Sequence, residues 1–285
     1  MREVHMNTFL LKKEIEHFFQ EDMQFGDISA DTIFPKDILG NGIIMSKSNG
    51  VFSGEAVIET AFQLLDPNIK VILHKKDGES VQSGEIIAEV TGPIRALLTG
   101  ERTVLNIIQR MSGIATKTRE AVQRLQSDKT RICDTRKTTP GFRLFEKYAV
   151  TCGGGYNHRQ SVNDGVMIKD NHIAFCGSIT EAVARTKAQV GPMVKIEVET
   201  ETIDQVKEAV HAKADIIMFD NRTAEEIAEF QQYVPDTIMT EASGGITLDN
   251  LHTYQNSGVD YISLGFLTYG AHALDLSMHV KGGNK

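Results

Sequence analysis

The second half of the chain carries the feature that most constrains its fold. Short β-branched runs alternate there with amphipathic stretches. Strands are predicted at 131–134, 165–169, 193–198, 215–219, 237–240 and 261–264. Helices are predicted at 114–126, 178–189, 203–212, 224–233 and 248–257, with apolar residues at helical spacing. Strand starts recur roughly every 20 to 25 residues, which is the rhythm of βα units and a parallel sheet. Such a sheet is expected to close, or nearly close, as a barrel.

The first half reads differently. Thr8 is a plausible N-cap for a helix to about Gln20, with Leu11, Ile15, Phe18 and Phe19 at helical spacing. A strand at 40–48 precedes a helix at 55–65 that carries Val57, Ile58, Ala61, Phe62 and Leu65. Strands follow at 69–74 and 85–91, with Asp77-Gly78 and Ser83-Gly84 as turns. The run 77–92 resembles half of a biotinyl-type hammerhead without its lysine hairpin, so it reads as a structural sheet. Gly100-Glu101-Arg102 opens a helical segment at 103–109, and the pattern changes near Met111-Ser112-Gly113. The expected fold class is α/β. An N-terminal α+β, sandwich-like domain at 1–112, completed by 266–285, is followed by an incomplete TIM-like βα barrel at 113–265.

Composition narrows the function. A net charge of -8 argues against general binding to nucleic acid or anionic membranes. No apolar run approaches the roughly 20 residues of a membrane-spanning helix. Residues 1–5 lack the apolar core of a secretion signal. The 3 cysteines are odd in number and show no CxxC spacing, which disfavours a disulfide framework or a zinc site and suits a reducing cytoplasm.

Residues 133–172 run against the acidic balance. Arg136, Lys137, Arg143, His158, Arg159 and Lys169 cluster there beside Gly153-Gly154-Gly155. The simplest ligand is a small molecule with several negative charges, gripped by Arg forks and Lys point charges. In βα barrels the strand C-termini build the active site. The residues at those predicted ends are Asp134, Arg136 and Lys137, then Lys169, Asp170 and His172, then Glu197 and Glu199, then Asp220 and Asn221. Glu241 with Ser243-Gly244-Gly245 and then Gly265 complete the series. Alternation places Glu197 and Glu199 on one strand face.

Three strings in this region, DTRKTTPG at 134–141, CGGGYNHR at 152–159 and IKDNH at 168–172, resemble the signatures of the quinolinate phosphoribosyltransferases in order and spacing. The resemblance covers nearly the whole chain and weakens over the first fifty or so residues. It implies transfer of a phosphoribosyl group from phosphoribosyl pyrophosphate to quinolinate with decarboxylation, giving nicotinate mononucleotide, CO2 and pyrophosphate. Under that resemblance Arg136, Lys137, His158, Arg159 and Lys169 bind the dicarboxylate and pyrophosphate. Glu199 and Asp220 hold Mg²⁺, or its waters, and ribose hydroxyls. Ser243, Gly244 and Gly245, with Leu264, Gly265 and Phe266, offer backbone N–H groups to a phosphate. Lys137, Lys169, Glu199 and Asp220 are the expected catalytic set. The resemblance also implies a homodimer or higher assembly in which Arg102 of one subunit enters its neighbour's site.

Two departures stand out. Tyr269 occupies the place of a family histidine, and Ser161-Val162 replaces a Gly-Leu pair. Three other readings remain open on the residues: a paralogous phosphoribosyltransferase for another acidic base, a Schiff-base lyase using Lys137 or Lys169, and a ligand-binding regulator without turnover.

Overall fold

In the computed structural model, which describes residues 6–282, the chain begins with α1 (Thr8–Met23), α2 (Ile28–Ile33), β1 (Leu39–Ser46) and β2 (Gly50–Val51). It continues with α3 (Glu55–Leu65), β3 (Lys70–Leu73), β4 (Ser80–Val81), β5 (Ile86–Pro93) and α4 (Ile94–Leu125). Next come β6 (Arg131–Cys133), α5 (Arg143–Cys152), β7 (Val166–Ile168), α6 (Asp170–Cys176) and α7 (Ile179–Lys187). Then follow β8 (Ile196–Thr200), α8 (Ile203–His211), β9 (Ile216–Asp220), α9 (Ala224–Gln231) and β10 (Met239–Ser243). The last elements are a 3-10 turn (Leu251–Asn256), β11 (Tyr261–Ser263), α10 (Phe266–Tyr269) and β12 (Leu276–Gly282). The opening residues 1–5, read above for a secretion signal, and the end of the 266–285 segment at 283–285 lie outside the described residues.

Two units emerge. The first groups Met1–Arg119 with Thr139–Gly154 and Gly270–Lys285; the second groups Glu120–Thr138 with Gly155–Tyr269. These spans differ from the expected 1–112 and 113–265 in where α4 is divided and in giving 139–154 to the first unit.

The first unit is built on an antiparallel sheet in the order β12-β1-β5-β3. The C-terminal strand β12 is its edge and pairs along β1 from Gly40↔Gly282 to Ser46↔Leu276. The helix expected from Thr8 is capped one residue earlier, because the Asn7 side chain accepts from Phe9 N at 3.0 Å and Leu10 N at 3.2 Å. It buries Leu11, Ile15 and Phe19.

One helix, α4, replaces the two expected on either side of 111–113. The glycines that suggested boundaries serve packing instead. A methyl on Gly113 would run into the backbone carbonyl oxygen of His272, and one on Gly100 would meet Leu65 and Phe62. Glycine inside a helix costs about 1 kcal/mol relative to alanine, which close backbone approach here offsets. Sequence periodicity missed α5 because its buried face mixes Phe145, Ala149 and Val150 with Glu146 and Lys147. Glu146 is fully buried and takes the Arg110 guanidinium at 2.8 Å and Thr139 Oγ1 at 2.9 Å. A buried carboxylate needs such partners.

The second unit is one parallel sheet in the order β6-β11-β10-β9-β8-β7. Strands β7 to β11 are neighbours in chain order, and β6, first in sequence, joins beyond β11. Beside β6, Tyr156 adds an isolated parallel bridge to Cys133. No ladder joins β6 to β7 among the described residues, so the barrel is incomplete as expected. Helices α7, α8 and α9 start at Ser178, Thr202 and Thr223, whose side chains cap the first turns. The helix expected at 248–257 shrinks to the 3-10 turn, while α6 and α10 are short helices that periodicity did not reveal. No described helix is long and apolar enough to cross a membrane.

Candidate active site

Four parallel-strand ends bring the predicted side chains together. The loop after β6 starts with Asp134, which is fully buried. Its Oδ1 accepts from His158 N at 2.8 Å and its Oδ2 from Asn157 Nδ2 at 2.6 Å. Asp134 thus anchors the Asn157-His158-Arg159 segment beside its own strand. Three residues on, Lys137 is held by its backbone: its N–H donates to Thr135 Oγ1 at 3.0 Å, and its carbonyl accepts from Thr268 Oγ1 at 2.7 Å. Gly265 makes room for its stem, since a Cβ there would sit 2.9 Å from Lys137 Cδ.

Arg159 Nη1 donates to the Gly165 carbonyl at 2.7 Å. Burial, then the neighbouring Arg136 charge, lowers its pKa, while Glu197 and Glu199 oppose that shift. Lys169 pairs with Glu199 across β7 and β8. His172 has a structural role, accepting the Lys169 N–H on Nδ1 at 3.0 Å at the start of α6.

A cavity of about 300 Å³ lies among these groups. Of the residues assigned a site role from the sequence, Arg136, Lys137, His158, Arg159, Lys169, Glu199 and Ser243 line it, joined by Thr135, Met167, Met218, Glu241 and Ser263. Four cations therefore face carboxylates in a space sized for one small, highly charged ligand.

The remaining expected residues lie elsewhere. The Asp220 carboxylate accepts from Asn221 Nδ2 at 2.7 Å at the end of β9. Leu264 differs from the expectation: its N–H donates to the Cys133 carbonyl at 2.9 Å, so the sheet consumes it and it cannot serve a phosphate. Gly265 and Phe266 sit at the start of α10. Arg102 is exposed on α4 in the first unit.

The Ser243-Gly244-Gly245 turn follows the last ladder pair, Ser243↔Asp220. Gly244 and Gly245 have φ of 81° and 65°, a left-handed region that glycine enters without the strain most side chains incur. Asn221, at φ 55°, donates its N–H to the Ser243 carbonyl at 2.8 Å and packs its side chain where a Gly244 Cβ would be. Beyond Ser243 the strand ladder no longer uses backbone N–H groups, which suits an anion.

Two buried carboxylates complete the site. Glu197 and Glu241, each 3% exposed, place oxygens 3.1 Å and 3.3 Å from His158 Nε2. Burial and the Glu241 charge raise the Glu197 pKa, against the pull of His158. Burial opposes charge on the imidazole, but its hydrogen bonds to both carboxylates outweigh this and push its pKa up to about 10. Among the described residues, His158, Glu197 and Glu241 are the group with metal-ligand spacing, all within 4.8 Å. The Glu-Val-Glu alternation signalled Glu197 in the sequence; nothing local marked Glu241 as its partner.

A βα barrel with cations, carboxylates and a glycine turn at its strand ends defines a site for a small polyanion, of the kind found in phosphate-handling transferases. The comparisons with known proteins agree. The family profile described as quinolinate phosphoribosyl transferase, C-terminal domain, matches residues 114–279, and its N-terminal domain profile matches 27–112. The chain belongs to this family. It is 54% identical to a probable nicotinate-nucleotide pyrophosphorylase [carboxylating] of Bacillus subtilis over 280 residues, covering 98% of this chain and 96% of the relative. The crystal structure of NadC from Streptococcus pyogenes superposes with a TM-score of 0.95 at 36% identity, covering 99% and 100% of the two chains. The nicotinate-nucleotide pyrophosphorylase from Francisella tularensis gives 0.91 at 36% identity, covering 97% and 98%.

The two turn glycines predict a contrast. Gly244→Ala meets both a left-handed φ and Asn221, whereas a Cβ on Gly245 meets nothing within 4 Å. By calorimetry, Gly244→Ala is expected to weaken pyrophosphate binding at least about tenfold, the equivalent of about 1.4 kcal/mol. Gly245→Ala is expected to lose clearly less. Equal losses would contradict the role given to Asn221 packing.

Proposed function

We propose that the protein transfers the phosphoribosyl group of phosphoribosyl pyrophosphate to quinolinate, with decarboxylation to nicotinate mononucleotide. The observation that carries this reading is the cavity in which Arg136, Lys137, Arg159 and Lys169 face Glu199, in a chain of this family. Arg136, Arg159 and Lys169 receive the two substrate carboxylates, and the Arg forks match carboxylate geometry. Lys137 and the turn at Ser243 to Gly245 receive the phosphates.

The pyridine nitrogen attacks ribose C1′ and the bond from C1′ to the pyrophosphate oxygen breaks. Positive charge develops on the ribose as negative charge builds on the leaving group. Glu199 and Asp220 stabilise the first, Lys137 the second. The pyridinium nitrogen then accepts the electron density released when the bond from C2 to its carboxylate breaks. CO2 leaves, and a proton takes its place on C2.

Glu199 and Asp220 also fit Mg²⁺. Both are hard oxygen donors at the ends of the adjacent strands β8 and β9 and neither is fully buried, which suits an ion that retains most of its waters. When bound, Mg²⁺ would offset the charge of the pyrophosphate. The free thiols of Cys133, Cys152 and Cys176 suit a reducing cytoplasm.

A Schiff-base lyase is less well supported. Lys169 is ion-paired and its side chain is 43% exposed, unlike the desolvated amine that imine chemistry needs. Incubation with quinolinate, phosphoribosyl pyrophosphate and Mg²⁺ is expected to give nicotinate mononucleotide by mass spectrometry. Folded protein yielding none would overturn the proposal.

The active assembly is a homodimer or a multiple of it, in which Arg102 reaches the neighbouring subunit's site and pairs with a substrate carboxylate. Its exposure on α4 leaves it available for this. Arg102→Ala and Lys137→Ala proteins should each be nearly inactive. In a mixed dimer one site collects both lesions and the other neither. A refolded equal mixture should therefore recover up to roughly a quarter of wild-type activity, as two-fold symmetry requires. Verified mixed dimers without recovery would place Arg102 in its own subunit's site.

A further inference from the structure

His158 stands apart from the four cavity-lining cations: both its ring nitrogens already have protein partners. Nε2 lies 3.1 Å from Glu197 Oε2 and 3.3 Å from Glu241 Oε2. Nδ1 accepts the backbone N–H of Arg159 at 2.9 Å. The ring is thus a bridge between two buried carboxylates and the residue that carries the guanidinium fork.

We propose that Glu197, Glu241 and His158 are positioning residues: the two carboxylates hold the imidazole as its neutral Nε2–H form, whose Nδ1 lone pair fixes the backbone of Arg159 for the substrate carboxylate. The role of Arg159 in this relay rests on quinolinate being the substrate.

The hydrogen bonds to the two carboxylates push the ring's pKa up to about 10, which taken alone would give an imidazolium at neutral pH; the contact at Nδ1 opposes that second proton, and the geometry decides. The two carboxylates favour a second proton on the imidazole. That proton would have to sit on Nδ1, where the Arg159 N–H already points, and two N–H groups would then face each other. The carboxylate pair is the better place for it. Burial and the charge of Glu241 already push Glu197 toward its protonated form. Glu197 Oε1 and Glu241 Oε1 are both buried without a hydrogen-bond partner, and two unprotonated carboxylates side by side would leave that charge uncompensated.

The other charged groups around the ring leave this assignment in place. Arg136, Lys137, Arg159 and Lys169 line the same cavity and disfavour a further positive charge. Glu199 is engaged by Lys169, and Asp134 accepts the backbone N–H of His158 and the side-chain amide of Asn157. A metal ion on the same three side chains would need the Nε2 lone pair. It would move the imidazole proton onto Nδ1, against the Arg159 N–H. The ligand spacing is therefore that of a proton-sharing cluster.

The state of the ring can be read directly. In the unliganded full-length protein at pH 7.5, ¹⁵N NMR of labelled histidine should show His158 with Nε2 protonated and Nδ1 bare. In Glu197→Gln/Glu241→Gln the Nδ1–H form should appear. An imidazolium, or the Nδ1–H form in the wild type, would overturn the proposal. Substitution gives a second reading that holds even if the double variant fails to fold. Asparagine at 158 keeps an acceptor near the Nδ1 position and glutamine does not. His158→Gln should weaken quinolinate binding, measured without phosphoribosyl pyrophosphate, about tenfold more than His158→Asn, about 1.4 kcal/mol. Equal losses in the two variants would overturn the relay. A wild type with the expected ring state and no affinity for quinolinate would refute the substrate reading instead.

Discussion

Electrostatic compensation inside one small cavity is the constraint on which the site depends. Arg136, Lys137, Arg159 and Lys169 converge on about 300 Å³, and like charges at that density repel strongly where water is partly excluded. Burial, and after it the charge of Arg136, lower the pKa of Arg159. Glu199 against Lys169, and the Glu197–Glu241 pair behind His158, supply the opposing charge. The cleft is thereby held open and ready for a polyanion, and a dicarboxylate or pyrophosphate takes over part of the compensation when it binds. Preorganised charge of this kind favours a reaction in which charge separates between ribose and leaving group.

The parallel sheet makes the arrangement possible. Its strands run in one direction, so every C-terminal end delivers its next residues to the same rim. Strand β6 delivers the Arg136-Lys137 loop, β7 delivers Lys169, β8 delivers Glu199, and β10 delivers the glycine turn. The pleat does the finer work. Glu197 and Glu199 share one face of β8, yet Glu197 is buried on His158 while Glu199 meets Lys169 at the rim. One strand thus provides both the internal counter-charge and the group that faces ligand.

Much of this was legible in the sequence because the informative signals are local. The period of the apolar residues located the βα units. A run of cations in an acidic chain located the cavity wall, and seven of the expected residues line it. What escaped notice depended on tertiary contact. Gly113 resembles a helix break until the His272 carbonyl is seen against it. The α5 helix hides its period because Glu146 is buried on Arg110. The N–H of Leu264 looked available for a phosphate until the Cys133 carbonyl claimed it. Glu241 has meaning only beside Glu197 and His158, more than 40 residues from the first and 80 from the second.

The central claim is that this charge-compensated cleft couples ribosylation of a pyridine dicarboxylate to loss of its C2 carboxylate. The most direct measurement follows ¹⁴C from C2-carboxyl-labelled quinolinate, with and without phosphoribosyl pyrophosphate. The account predicts labelled CO2 in equal amount to nicotinate mononucleotide when both substrates are present, and none when quinolinate is alone. Labelled CO2 released without phosphoribosyl pyrophosphate, or a ribosylated product that retains the label, would contradict it.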